Sequence, residues 1–287
     1  MPELPEVETV RRGLIPALEG RRLTSVRLNR ADLRFPFPER MQERLQGVTV
    51  ERLDRRAKYL LVRLSSGETL LVHLGMTGRF SIEADDQHQQ PGDFVYAPVA
   101  DPKHDHVVLE VEGGVTIRYN DPRRFGFMDM FMTDDEAAVP FLAGLGPEPN
   151  SNHFSAAHLD SVLAGKKTPI KAALLDQRVV AGLGNIYVCE ALHRAHISPR
   201  REARTIPGVR AGRLAVTVRD VINEAIDAGG STLRDFAGAD GALGYFQHRF
   251  RAYGQEGEPC PTEGCEGKIS RIVQSGRSTF FCGRCQR

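Results

Sequence analysis

Four cysteines crowded at one end of the chain set the strongest limit on its fold. They form Cys260-x4-Cys265 and Cys282-x2-Cys285, while a fifth, Cys189, lies apart. Short spacing within a pair lets one turn present two thiolates, and tetrahedral Zn2+ needs two such turns. The stretch between the pairs, "GKISRIVQSGRSTFFC", reads as a β-hairpin with Ser275-Gly276 near its tip. Disulfide pairing is the alternative, and it suits an oxidising compartment better than the cytosol. Four thiolates leave no open position for a catalytic water, so one structural zinc is implied. Cys189 falls in a helical run beside Tyr187 and Leu192 and reads as a buried thiol.

The remaining composition excludes little. The chain has 287 residues, enough for two or three domains. No apolar run reaches the ~18 residues of a membrane span. Acid stands at the N-terminus where a signal peptide carries base, so the chain reads as cytosolic. Net charge is only +1, but 32 of the 38 basic residues are Arg. Arginine suits bidentate phosphate and base-edge contacts, and a GC-rich genome would give the same bias.

The fold class expected is α+β and multidomain. Residues 21–131 read mostly as β. "KYLLVRLSSGETLLVHLG" is two apolar runs joined by Ser65-Ser66-Gly67-Glu68, and "HVVLEVEGGVTIRY" repeats the design around Gly113-Gly114. Such hairpins suggest a sandwich or flattened barrel. Residues 83–102 read as a long polar loop, "GLGPEPNSNHFS" as a linker, and "GADGALGY" (238–245) as a glycine-rich loop. Beyond the linker Leu214, Val218, Val221, Ile222, Ala225 and Ile226 mark a helix ending at Gly229-Gly230. The expected division is a helix-led β-sandwich at 1–135, a linker at 136–150, a helical domain at 151–250 and a zinc hairpin at 251–287.

Several stretches carry chemistry. "GLGNIY" lacks the third glycine of a dinucleotide fingerprint, because Tyr187 stands there. What survives is a glycine turn feeding a helix start at Asn185, which suits a phosphate; a glycine kept only for helix packing fits as well. In "HLGMTGRF" and "YNDPRRFGF", Met76, Arg123, Arg124 and Phe125 stand at strand ends among turn residues. A thioether, a flat cation and a ring could fill the hole left by an everted base, or simply pack on their own turns. "KHDH" puts His104 and His106 on one face of a strand, a pair more often structural than ligating.

The opening "MPELPEVETV" has two readings. Removal of Met1 would leave Pro2 with a free secondary amine whose pKa, ~7.7–8.0 for an α-amino group, keeps a useful fraction unprotonated. Such an amine can attack an aldehyde carbon, and Glu3 could shuttle protons. The other reading is an amphipathic helix on Val7, Val10, Leu14 and Leu18, its early glutamates complementing the dipole.

"MPELPEVETVRRGL", "RRAKYLL", "HLGM", "KHDH", "DPRRFG", "GLGNIY" and "GRSTFFCGRCQ" occur in that order along the whole chain. The set closely resembles bacterial formamidopyrimidine-DNA glycosylase. That resemblance implies an N-terminal β-sandwich, a helix–two-turn–helix domain and a zinc hairpin, with DNA between the domains and a monomeric enzyme. It implies excision of oxidised purines, notably 8-oxoguanine and formamidopyrimidines, followed by β- and δ-elimination. By motif, Pro2 is the Schiff-base nucleophile and Glu3 the general acid/base. Lys58 is the proton donor of β-elimination, Arg277 serves δ-elimination, and Glu6 supports the pocket. Lys58 follows Arg55-Arg56, whose positive charge should ease its loss of a proton. Met76, Arg123 and Phe125 match the residues that fill the vacated space. His104, Arg123, Lys166 and Asn185 match contacts to the DNA backbone, and Cys260, Cys265, Cys282 and Cys285 the zinc ligands. Two departures stand out: Cys260 and Cys265 are four apart where many relatives have two, and the 83–102 loop is long.

Overall fold

A computed structural model describes Pro2–Ala84, Asp101–Ser231 and Gly244–Arg287. Met1 and most of the stretches expected as loops, 83–102 and 238–245, lie outside the described residues. The chain forms two compact units, Met1–Ala143 with Ala228–Tyr245, and Gly144–Asp227 with Phe246–Arg287. Among the described residues no helix is long and apolar enough to cross a membrane.

The first unit opens with α1 (Leu4–Leu18), which has a proline in its first turn, where no backbone N–H is required. Val7, Val10, Leu14, Ala17 and Leu18 recur at helical spacing and enter the core. Then come β1 (Leu23–Leu28), α2 (Met41–Leu45), β2 (Val50–Arg56), β3 (Tyr59–Leu64), β4 (Glu68–His73), β5 (Arg79–Ala84), β6 (Asp105–Val111), β7 (Val115–Asn120), β8 (Phe127–Met132) and the short α3 (Pro140–Ala143). The strands make two antiparallel sheets, ordered β1-β6-β7-β5 and β2-β3-β4-β8. Both contribute to one apolar core, with Leu53, Leu60, Val62 and Val72 from one and Val107, Leu109, Ile117 and Tyr119 from the other. This is a sandwich. The expected hairpin turns are present, with Gly67 at φ 81 and Gly113 and Gly114 at φ 91 and 75, conformations that favour glycine.

The chain crosses between sheets twice at one end of the sandwich. β4 and β8 lie in one sheet and β5 and β7 in the other, so Leu74–Gly78 and Asp121–Gly126 are both inter-sheet corners. His73 pairs with Phe127 and Arg79 with Asn120, which sets the two corners side by side.

The second unit holds α4 (Ala156–Leu163), α5 (Ile170–Leu175), α6 (Asn185–Arg194), α7 (Val209–Asp227) and the hairpin β9 (Ile269–Gln274) to β10 (Arg277–Cys282). α7 buries Leu214, Val218, Val221, Ile222, Ala225 and Ile226, as its periodicity predicts. Ser275 (φ 50) and Gly276 (φ 72) make the two-residue hairpin turn with both residues left-handed. Rings of Tyr187, Phe246, Phe250, Tyr253 and Phe280 run in successive contact from α6 to the hairpin, with centroids 5.1–5.8 Å apart.

Candidate functional site

Pro2 and Glu3 are buried at the start of α1. Glu6, 2 % exposed, is the anchor of this end. Its Oε2 accepts the Glu3 N–H at 2.8 Å, and its Oε1 accepts the Ser231 N–H at 2.8 Å and hydroxyl at 2.9 Å. One carboxylate therefore fixes both the chain start and the segment just past Gly229-Gly230.

Lys58, also buried, follows Ala57, whose φ of 54 is strained for an L residue. The turn is held from α1: Glu8 Oε2 accepts from Arg55 Nε at 3.1 Å, and Arg55 Nη1 donates to the Ala57 carbonyl at 3.0 Å. Arg11 and Arg12 donate to the same Glu8 carboxylate. Burial raises the Glu8 pKa, but hydrogen bonds and charge from Arg11, Arg12 and Arg55 outweigh it and hold the group at about 2. Of the two arginines expected to ease proton loss from Lys58, Arg55 has its charge committed to Glu8 instead.

Met76 lies in the first inter-sheet corner, and Arg123, Arg124 and Phe125 in the second. They line a cleft of about 580 Å³ together with Leu33, Arg34, His73 and Gly75. Phe125 is 43 % exposed, and the Arg123 guanidinium sits 4.6 Å from its ring centroid. His73 stacks on Phe127 at 5.2 Å. Burial first, then the positive charge of Lys58 and Arg34, lower its pKa to about 4, so the ring is neutral at neutral pH. Its Nδ1 accepts the Gly75 N–H.

His104 and His106 do not share a strand face. Pro102 starts a 3-10 turn, Pro102–His104, capped by the Asp101 side chain, and β6 begins only at Asp105. Proline fits the first turn of a helix, which pulls His104 out of the strand. His106 is buried, with Nε2 2.9 Å from the Asp121 carbonyl oxygen, a structural hydrogen bond.

In the second unit, Asn185 begins α6 behind Gly184 at its N-cap. Gln177 splints the glycine turn, accepting the Gly182 N–H and donating to the Leu183 carbonyl, both at 2.9 Å. The Asn185 amide donates to the Ser278 carbonyl at 3.0 Å. Lys171, 1 % exposed, donates to that carbonyl at 3.0 Å and to Thr279 Oγ1 at 2.7 Å. The strand residue next to Arg277 is thereby fixed from two helices, while Arg277 and Lys166 are exposed.

The four cysteine Sγ atoms lie within 4.8 Å of one another. Cys260–Cys285 and Cys265–Cys282 are each 3.7 Å apart, near the ~3.8 Å edge of a tetrahedron with Zn–S bonds of ~2.3 Å. The donor set fits one zinc ion, and the longer spacing between Cys260 and Cys265 does not spoil it. His193, buried on α6, places Nε2 3.4 Å from Cys260 Sγ. Glu190, 0 % exposed, accepts the successive N–H groups of Arg251, Ala252 and Tyr253 at 2.8–2.9 Å. Cys189 is the buried thiol expected of it.

Sequence reasoning did not single out His73, Lys171, Glu190 or His193. For Lys171 the signal is a lysine inside the apolar run "PIKAALL", a composition that forces its ammonium to find buried acceptors.

Three known families match consecutive parts of the chain. Residues 1–128 match the Formamidopyrimidine-DNA glycosylase N-terminal domain, 145–237 the Formamidopyrimidine-DNA glycosylase H2TH domain, and 257–287 a zinc finger found in FPG and IleRS. A formamidopyrimidine-DNA glycosylase of Caulobacter sp. (strain K31) is 59 % identical over 286 residues, covering 100 % of both chains. The crystal structure of the MutM (Fpg) protein from Thermus thermophilus is 41 % identical, with a TM-score of 0.84 over 99 % of this chain and 98 % of that one. A Lactococcus lactis Fpg mutant in complex with DNA containing Fapy-dG is 33 % identical, with a TM-score of 0.87 over 100 % of both chains. Lactococcus lactis Fpg in complex with abasic-site DNA is 32 % identical, with a TM-score of 0.86 over 99 % of each. Full-length similarity of this order, on a sandwich, a helical unit and a four-cysteine hairpin of matching design, places the chain in the formamidopyrimidine-DNA glycosylase family.

Proposed function

We propose that the chain is a bifunctional DNA glycosylase and abasic-site lyase that removes oxidised purines from duplex DNA, as a cytoplasmic monomer. The observation that carries this reading is the buried, carboxylate-anchored start of α1, which presents Pro2 beside Glu3. Relatives in complex with Fapy-dG DNA and abasic-site DNA support the substrate class, as does a MutM complex with carbocyclic 8-oxo-G DNA.

On this reading the Pro2 amine attacks C1′ of the damaged nucleotide and the base departs with the glycosidic electron pair. The C1′–O4′ bond then breaks, O4′ takes a proton and becomes a hydroxyl on the opened sugar, and an iminium forms between Pro2 nitrogen and C1′. That cation withdraws electrons from C2′, a base takes a C2′ proton, and the 3′ phosphate leaves; loss of the 5′ phosphate follows. Glu3 moves protons at the sugar, and Lys58 supplies the proton that accompanies β-elimination. Arg277 serves δ-elimination at the 5′ phosphate as a fixed fork. Met76, Arg123 and Phe125 fill the space an everted base leaves, an exchange that offsets an unstacking cost of a few kcal/mol. His104, Arg123, Lys166 and Asn185 hold the DNA backbone, and Glu6 supports the pocket. Zinc, when bound by Cys260, Cys265, Cys282 and Cys285, holds the hairpin that carries Arg277 and offers no open site for chemistry.

Borohydride trapping tests the reading. Wild-type protein should form a covalent adduct with abasic-site DNA through residue 2, and a tag fused ahead of Pro2 should abolish it. An undiminished adduct in the tagged protein overturns the assignment of Pro2.

A further inference from the structure

Asp121 opens the second inter-sheet corner and is 0 % exposed. Its carboxylate accepts three hydrogen bonds. Oδ1 accepts from Thr77 Oγ1 at 2.5 Å, and Oδ2 accepts from the Gly126 N–H at 2.8 Å and, at the limit of hydrogen-bond length, from the Tyr119 hydroxyl at 3.5 Å. Its backbone is committed as well: the Asp121 N–H donates to the His104 carbonyl at 3.1 Å, and its own carbonyl accepts the Arg124 N–H at 3.1 Å. Thr77 Oγ1 accepts the Arg123 N–H at 3.3 Å.

We propose that Asp121 is the positioning residue that sets Met76, His104, Arg123 and Phe125 in one fixed arrangement, and so determines how a lesion's partner base is read. This rests on the role given above to those four residues. Each is within two covalent or hydrogen-bonded steps of Asp121: Met76 through Thr77, Phe125 through Gly126, Arg123 through Thr77, and His104 directly through its carbonyl. The backbones are packed too closely to be set independently. A Cβ on Gly75 would lie 2.3 Å from Gly126 N, and one on Gly126 would lie 2.0 Å from Tyr119 Oη. An exposed Phe125 with no core of its own cannot fix its direction. The buried carboxylate behind it supplies that direction, because leaving its three donors unmet is costlier than holding the corners together.

Thr77→Val and Asp121→Ala remove the link from opposite sides. Asp121→Asn restores an acceptor for Gly126, and its amide can donate to a rotated Thr77 hydroxyl. The readouts are the eversion rate, from 2-aminopurine placed beside 8-oxoguanine, and the excision rate opposite cytosine divided by that opposite adenine. Phe125→Ala is the reference. We expect Thr77→Val and Asp121→Ala to lower both readouts by about tenfold, the loss of one buried hydrogen bond or more, with Asp121→Asn within about threefold of wild type. If both variants fold and behave as wild type while Phe125→Ala is impaired, Asp121 does not position the corners. If they slow excision opposite both bases equally, their role is ordinary structural support and the proposal falls. If Phe125→Ala also changes nothing, the reading of the cleft fails first and takes this one with it. Should Asp121→Ala not fold, Thr77→Val decides alone.

Discussion

The paired corners of the sandwich and the cysteine hairpin of the second unit solve one problem differently. Both present exposed arginines on short turns, Arg123 and Arg124 in one and Arg277 in the other. The corners are fixed from within, by a buried carboxylate and glycines at close approach. The hairpin has only a small apolar cluster, with Ala252, Ile269 and two of the cysteines, and draws on outside support. That support is four thiolates, the Lys171 ammonium and the Asn185 amide. A turn at the edge of a large core can be held by that core, whereas a small module must import its rigidity.

Breaking the hairpin should therefore cost most when the metal is removed. Chelation, or Cys282→Ser, withdraws a contribution on the order of 10 kcal/mol, and DNA binding at physiological salt should be lost in a filter or anisotropy assay. Unchanged affinity would erase the contrast. On the corner side, Gly126→Ala forces a Cβ to 2.0 Å from a buried hydroxyl and should cost about 3 kcal/mol or more in denaturant unfolding. Lys171→Met leaves the Ser278 carbonyl and Thr279 hydroxyl with fewer donors, an expected loss of about 2 kcal/mol in the same measurement. If it costs nothing, the hairpin stands on zinc alone and the comparison sharpens.

The smallest effect expected is at Glu8, and it depends on pH. Its folded pKa of about 2 lies below the ordinary 4.5, so its contribution is present above pH 4.5 and lost as pH falls through about 2. Allowing for partial exposure, Glu8→Gln should destabilise the protein by about 1–2 kcal/mol near neutrality. The gap between variant and wild type should close in acid. A gap constant with pH would mean that Arg55 and the Lys58 turn do not depend on the charge of Glu8.

What could be read from the sequence is what local chemistry decides. The hairpins at Gly67, Gly113-Gly114 and Ser275-Gly276 were legible because left-handed turns need particular residues, and the zinc site because its spacing is a geometric requirement. α7 was legible from its apolar period. Lys171 and Glu190 were not, because the groups they satisfy lie far along the chain and are mostly backbone atoms, which carry no side-chain signature; Asp121 was not, because its tie to Thr77 joins two corners distant in sequence. His104 lies outside the strand for a local reason, since the Pro102–His104 turn delays the start of β6 to Asp105. The candidate residues of the chain start were named from motifs. That one carboxylate, Glu6, serves both Glu3 and Ser231 required coordinates.

The double crossing of the sandwich has a consequence for swapping parts between relatives. Because a Cβ on Gly75 would run into the Phe125–Gly126 backbone, and one on Gly126 into the Tyr119 hydroxyl and the His73 carbonyl, neither corner is a free cassette. Transplanting Leu74–Gly78 alone from a distant homologue should misdirect its neighbour, whereas exchanging both stretches together, with residue 121, should carry the donor's opposite-base preference into a scaffold whose interior is untouched.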